Sequence, residues 1–192
     1  MRAAANVLIA PPQPGDLICV PTPGPVGKLI EIGQWAAGQS FKPYEHAMVY
    51  IGNPPSLRPR MHGWTASAYT NGVGLRPLSH APEQLQGSLW TSGILPLSDV
   101  QRAEVVAWCL AHPAVGYSAA DYFALAAARL KLNHILPPLR DYIADSGHMI
   151  CSQYSTLARL AAGDNLFDRA WDGLVMPMDI AHLTLDRLAA MK

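Results

Sequence analysis

Seventeen prolines among 192 residues cut this chain into short pieces, and that punctuation limits its fold more than any other feature. Proline fixes φ and removes a hydrogen-bond donor, so long helices and the interior of a wide sheet do not tolerate it. What remains is a series of short elements between turns. Pro14-Gly15-Asp16 reads as a turn, and Leu17-Ile18-Cys19-Val20 as a short buried strand ended by the prolines of 21–25. Residues 26–38 predict a helix, with Val26, Leu29, Ile30, Ile32 and Trp35 at roughly helical spacing. Pro25 sits at its start, where a missing N–H is harmless. His46-Ala47-Met48-Val49-Tyr50-Ile51-Gly52 has a strand's composition, and Asn53-Pro54-Pro55 ends it. Residues 64–69 predict a further strand, Asn71-Gly72 a tight turn, and 73–78 an antiparallel return. Another apolar strand is expected over 89–97.

The second half changes character. Ser98 is a candidate N-cap for a helix over 99–111, with Val105, Val106, Cys109 and Leu110 on its apolar side. Ser118 can cap a second helix over 119–132, and a loop with Pro137-Pro138 follows. A third helix starts near Cys151 and stops at Gly163, and Pro177 opens a last one over 178–190. No repeat, low-complexity tract or linker divides the chain. The expectation is one α+β domain over 1–192, an antiparallel sheet packed against helices.

Composition removes several function classes. Half of the residues are hydrophobic, enough for a sizeable core. Lys plus Arg equals Asp plus Glu, 14 against 14, so no global field draws the chain to nucleic acid or an anionic membrane. Three cysteines without a Cys-x-x-Cys pair fit neither a disulfide framework nor a zinc ribbon. No two histidines sit four apart on a helix, so a His-based metal site is weakly supported, and cysteine chemistry needs no metal or organic cofactor. The N-terminal apolar stretch is too short for a signal-peptide core, and no stretch reaches a membrane span. That predicts a soluble protein, cytoplasmic or released without a classical signal. Oligomeric state is not legible.

One cysteine stands apart. A cysteine nucleophile needs a depressed thiol pKa, a base within reach and a group to orient that base. A helix N-terminus favours thiolate and offers N–H groups to a developing oxyanion. Cys151 sits at the predicted helix start in Ile150-Cys151-Ser152-Gln153-Tyr154, with Gly147 just before it. The plainer reading is a small buried hydrophobe. Cys19 in a strand and Cys109 on an apolar helix face read as packing residues. Of the seven histidines, His46 opens a strand and can present its ring to another element. Its plainer reading is a structural histidine. His62 precedes a predicted strand and stays in play, whereas His80, His112, His134, His148 and His182 fall in turns, loops or helix ends or within the last helix.

The ordered segments resemble the circularly permuted branch of the NlpC-like papain superfamily. That branch holds small bacterial amidase-like proteins and, more remotely, the lecithin–retinol acyltransferase group. Pro14-Gly15-Asp16-Leu17-Ile18 resembles the opening strand and Tyr44-Glu45-His46-Ala47-Met48-Val49-Tyr50-Ile51-Gly52 the histidine strand. Ala66-Ser67-Ala68 and Gly72-Val73 with Arg76-Pro77-Leu78 resemble the next hairpin, and Val115-Gly116-Tyr117-Ser118 the lead into a helix. Ile150-Cys151-Ser152-Gln153-Tyr154 resembles the nucleophile helix, and Met176-Pro177-Met178-Asp179-Ile180-Ala181 the closing segment. The resemblance implies a permuted papain-like fold with His46 as base and Cys151 as nucleophile. The third position, usually Glu or His, falls on Ser67, a departure that leaves His62 as the alternative. A second departure is Gln153, where the family commonly has Glu.

The implied chemistry is acyl transfer on an amide or ester, with peptidoglycan stem peptides as the leading substrate. Arg58, Arg60 and Arg76 are candidates to meet a substrate carboxylate, though solvated loop charge explains them as well. A lipid or small-molecule thioesterase or acyltransferase is a second expectation, with Trp35, Trp64 and Trp90 as candidates for an apolar cleft. A third is a catalytically weak binding or structural module of the same fold, which the serine at position 67 favours.

Overall fold

The computed structural model of the chain describes residues 6–36, 44–69, 74–113, 149–167 and 175–192. Strand β1 (Leu17–Val20) is followed by helix α1 (Pro25–Ala36), then by strands β2 (His46–Gly52), β3 (Trp64–Ala66), β4 (Leu75–Pro77) and β5 (Leu89–Trp90), and then by helices α2 (Asp99–Ala111), α3 (Cys151–Ala161) and α4 (Pro177–Ala190). The strands form one antiparallel sheet in the order β4-β3-β2-β1-β5. The expected α+β class is what the chain adopts. No described helix is long and apolar enough to cross a membrane.

β2 lies at the centre, and its pleat sorts the protein. Ala47, Val49 and Ile51 join Leu17, Cys19 and Ala66 in the main core with Tyr154 and Ala158 of α3 and Met178 and Ile180 of α4. Met48 and Tyr50 point to the other face, where Ile18, Leu78 and Trp90 form a smaller cluster. This is the two-residue alternation of a strand carried into packing.

α2 starts as expected, because the Ser98 side chain accepts from the Gln101 N–H while Gln101 reaches back to the Ser98 N–H. α3 ends at Gly163, which adopts φ +71. That left-handed conformation suits glycine and lets the Asp164 N–H bond back to the Arg159 carbonyl.

α3 is unusual in burying its polar side chains: Ser152, Gln153, Ser155, Thr156 and Arg159 are all buried. The helix is sustained by partners rather than by an apolar stripe. Ser152 Oγ donates to the Val175 carbonyl at 2.6 Å, and Ser155 Oγ to the Cys151 carbonyl at 2.9 Å. Arg159 donates to Asp164 and to the carbonyls of Gly15 and Leu95.

Three expectations are corrected. The strand expected over 89–97 stops at Trp90, because the Thr91 carbonyl accepts from both Ile94 and Leu95 N–H and folds the chain into a turn. Gly93, at φ +74, is part of that turn. The strand expected over 64–69 ends at Ala66. In α1, Ile32 and Trp35 are 55% and 59% exposed, so those members of the expected stripe do not face a core. The helix expected over 119–132, the segment Val115-Gly116-Tyr117-Ser118, the loop at Pro137-Pro138, the turn at Asn71-Gly72, Gly147, His134 and His148 lie outside the described residues.

Candidate functional site

The N-terminus of α3 meets the start of β2. Cys151 is the first residue of α3 and is fully buried. Its thiol points at the Glu45 carbonyl, with Sγ 4.0 Å from the oxygen. Glu45 directly precedes His46, the first residue of β2. The two residues that the resemblance singles out are therefore brought to the same end of the central strand, although 105 positions separate them in sequence.

The start of α3 is held by Gln153, whose Oε1 accepts from the Ile150 N–H at 3.0 Å. A neutral amide serves as well as a carboxylate for this cap. The Glu45 carboxylate accepts from the Thr22 N–H at 2.6 Å, which fixes the approach to β2.

His46 has an unusual environment. Its Nε2 is shut off from solvent and has no hydrogen-bond partner among the described residues. A buried unpaired ring nitrogen is costly, and such atoms are rare in native proteins. Burial, and then the nearby charge of Arg76, push the imidazole pKa down to about 4. At neutral pH the ring is uncharged and able to accept a proton.

The ring that packs on His46 is Tyr69, with centroids 5.2 Å apart and planes tilted by 36°. Continuing the β2–β3 register from Tyr50↔Thr65 and Val49↔Ala66 brings Tyr69 level with His46. Tyr69 went unnoticed in the sequence because the strand expected there placed no emphasis on its last residue. The available signal was the register itself, which follows once the hairpin pairing is known.

Neither candidate for the third position orients the imidazole through a hydrogen bond. Ser67 is buried, and its hydroxyl donates to the Ala47 carbonyl at 2.7 Å. That bond ties β3's exit to the backbone just beyond His46. His62 lies beside Gly63 and the turn that follows Gly52, at the opposite end of β2 from His46. Six residues of strand at about 3.3 Å each separate that end from the ring.

The other cysteines behave as packing residues. Burial pushes the Cys109 thiol up to about 12. Cys19 is raised further, first by burial and then by charge on Cys151. Cys19 Sγ lies 3.7 Å from the Pro177 carbonyl oxygen.

The arginines and tryptophans do not converge. Arg60 stacks over Trp64 at 5.3 Å, and the Trp64 indole N–H donates to the Arg58 carbonyl, both near the far end of β2. Trp90 is fully buried on β5, separated from β3 by β2 and β1, and Trp35 is exposed on α1. The three tryptophans line no common cleft. Arg76 alone stands near the candidate site, 3.7 Å from the Tyr69 ring centroid. Among the described residues no cluster of three or more His, Cys, Asp or Glu side chains is arranged to hold a metal ion.

Compared with models of known families, with curated proteins and with solved structures, the chain matches none.

Proposed function

We propose that this chain is a cysteine hydrolase of the circularly permuted papain-like kind, with Cys151 as nucleophile and His46 as its base. The observation that carries the reading is the meeting of the α3 N-terminus with the start of β2. The Cys151 thiol lies against the carbonyl of the residue preceding His46, and no Cys151–His46 hydrogen bond is made at Nε2, so proton transfer requires the ring and the thiol to close on each other. The order of elements also supports it: a histidine-bearing strand, its hairpin partner, then a cysteine-bearing helix packed on that strand.

The chemistry follows from these groups. Nε2 takes the Cys151 proton, and the thiolate forms a bond to an acyl carbon. The N–H groups at the start of α3 stabilise the developing oxyanion. The amine or alcohol leaves with the proton returned by His46. Water then loses a proton to His46 and attacks the thioester, and the sulfur departs as thiolate. The uncharged state of His46 at neutral pH suits the first step. The leading substrate is a peptide amide of the peptidoglycan-stem type. A small acyl ester or thioester is the alternative.

A second reading has its own observation. Cys151 is fully buried and Ser67 is committed to the backbone, as in a binding or structural module of the same fold without turnover. Alkylation by iodoacetamide, followed by peptide mass spectrometry, separates the two. An enzyme modifies at Cys151 well before Cys19 and Cys109, and hydrolyses p-nitrophenyl acetate or purified peptidoglycan in a manner lost in Cys151→Ala. Equal inertness of all three thiols, with no turnover, sinks the hydrolase reading and leaves the module.

A further inference from the structure

Tyr69 is held from three strands. His46 packs on it from β2, and the Arg76 guanidinium carbon on β4 lies 3.7 Å from its ring centroid. Its hydroxyl lies 3.3 Å from Thr65 Oγ1 on β3 and donates to Met48 Sδ, also at 3.3 Å, on β2. A phenol tethered at its tip and stacked on its ring cannot swing without losing several contacts at once.

His46, by contrast, has no hydrogen bond at Nε2 to fix its rotamer. Nothing bonded at that nitrogen selects the rotamer, so the rings packed on the imidazole contribute to its orientation. Ser67 does not help, because its hydroxyl is taken by Ala47. Val20 pairs with His46 from β1 and bounds the other side of the strand.

We infer that Tyr69, clamped by Arg76 and the Met48–Thr65 pair, is the positioning residue that fixes the His46 imidazole at the end of β2 where Cys151 meets the Glu45 carbonyl, in the role the family gives to a polar third residue. The inference rests on the Cys151–His46 reading above. Ring packing replaces a hydrogen bond as the orienting device. Arg76, lying over the same ring, adds a positive charge that opposes imidazolium and keeps His46 in its base form. Among the described residues, the titratable groups around this end of the sheet include Arg76 on β4, Tyr69 after β3, Tyr44 and Glu45 before β2, Cys19 on β1 and Cys151 on α3. Tyr69 senses the last of these. Burial raises its phenol, the Thr65 bond and Arg76 pull it down, and negative charge on Cys151 adds to the rise.

The test uses the full chain, the iodoacetamide alkylation rate of Cys151 across pH, and kcat and KM for p-nitrophenyl acetate. Tyr69→Phe keeps the ring but loses the hydroxyl tether to Thr65 and Met48, and is expected to lower kcat less than Tyr69→Leu does. Tyr69→Leu removes the ring and is expected to lower kcat and the alkylation rate roughly 10- to 100-fold, with KM little changed. Arg76→Gln is expected to move the acid limb of the pH profile upward, toward the ordinary histidine value. Wild-type behaviour of a folded Tyr69→Leu overturns the inference, and so does a Tyr69→Phe as damaged as Tyr69→Leu. Should Tyr69→Leu fail to fold, an unmoved acid limb in Arg76→Gln overturns it instead. A Cys151 that reacts quickly, depends on His46 and ignores Tyr69 removes only the role given to Tyr69. A Cys151 no more reactive than Cys19, and indifferent to His46→Ala, removes the acyl-transfer reading and this inference with it.

Discussion

The two ends of α3 are built on different terms. At the C-terminal end the buried Arg159 donates to Asp164 and to the carbonyls of Gly15 and Leu95. Beside it, the Asp16 carboxylate accepts from Arg102, Ser92 and the Gln13 N–H. Charge there is paired and its hydrogen bonds are made, as a buried ionic cluster requires. At the N-terminal end a buried thiol approaches a backbone oxygen, and a buried imidazole nitrogen goes without a partner among the described residues. One end secures the fold, joining the Pro14-Gly15-Asp16 turn to α2 and α3. The other tolerates an unsatisfied group, which is how reactive sites differ from structural ones.

Substitutions at each end should separate activity from stability. The largest effect belongs to Cys151→Ala, which should lower ester turnover by roughly a thousandfold or more while leaving the urea midpoint close to the wild type. A large stability loss without any turnover to lose would make the N-terminal end structural too. Arg159→Ala comes next. It strands Asp164 and two carbonyls, and should cost about 3–5 kcal/mol in urea unfolding. A variant as stable as the wild type would erase the distinction between the ends. Asp16→Asn keeps the shape but weakens the bonds to Arg102, Ser92 and the Gln13 N–H, for an expected loss of about 1.5–3 kcal/mol.

Gln153→Ala tests the boundary between the two ends, since it uncaps α3 beside the thiol. A loss of about 1 kcal/mol is expected, as for other helix caps. The last test is in pH. The folded imidazole of His46 titrates near 4 against an ordinary value of 6.5, so the unfolded chain binds its proton first as pH falls. Stability should therefore decline between about 6.5 and about 4 and change no further from this group below that window. Measured unfolding free energies of His46→Gln should lack this component of the slope. An unchanged slope would place His46 in a more open setting than the buried one found here.

Much of the fold is legible in single segments. Ser98 with Gln101 announces α2, Gly163 marks the end of α3, and the run from His46 to Gly52 declares β2. Where the chain was misread, a longer-range contact was responsible. The stretch after Trp90 has strand composition, yet the Thr91 side chain accepts from Leu17 N–H and its carbonyl closes a turn. Ile32 and Trp35 have helical spacing, but that spacing carries no information about which face meets a core. Of the candidate site, local settings offered Cys151 and His46 only beside plainer readings and the resemblance singled them out, whereas His62 and Ser67 could be weighed only against the pairing register.

The sequence by itself determined where α2 begins, where α3 stops and where β1 and β2 run, because caps, prolines, glycines and apolar periodicity act over a few residues, but not where β3 and β5 end. It also determined the α+β class and the neutral charge balance. The tertiary structure alone decided that Tyr69 stands beside His46, that Ser67 spends its hydroxyl on Ala47, and that Arg159 reaches Gly15 across 144 positions. These are partnerships between segments remote along the chain. They are fixed by sheet register and helix packing, which no local pattern of residues encodes.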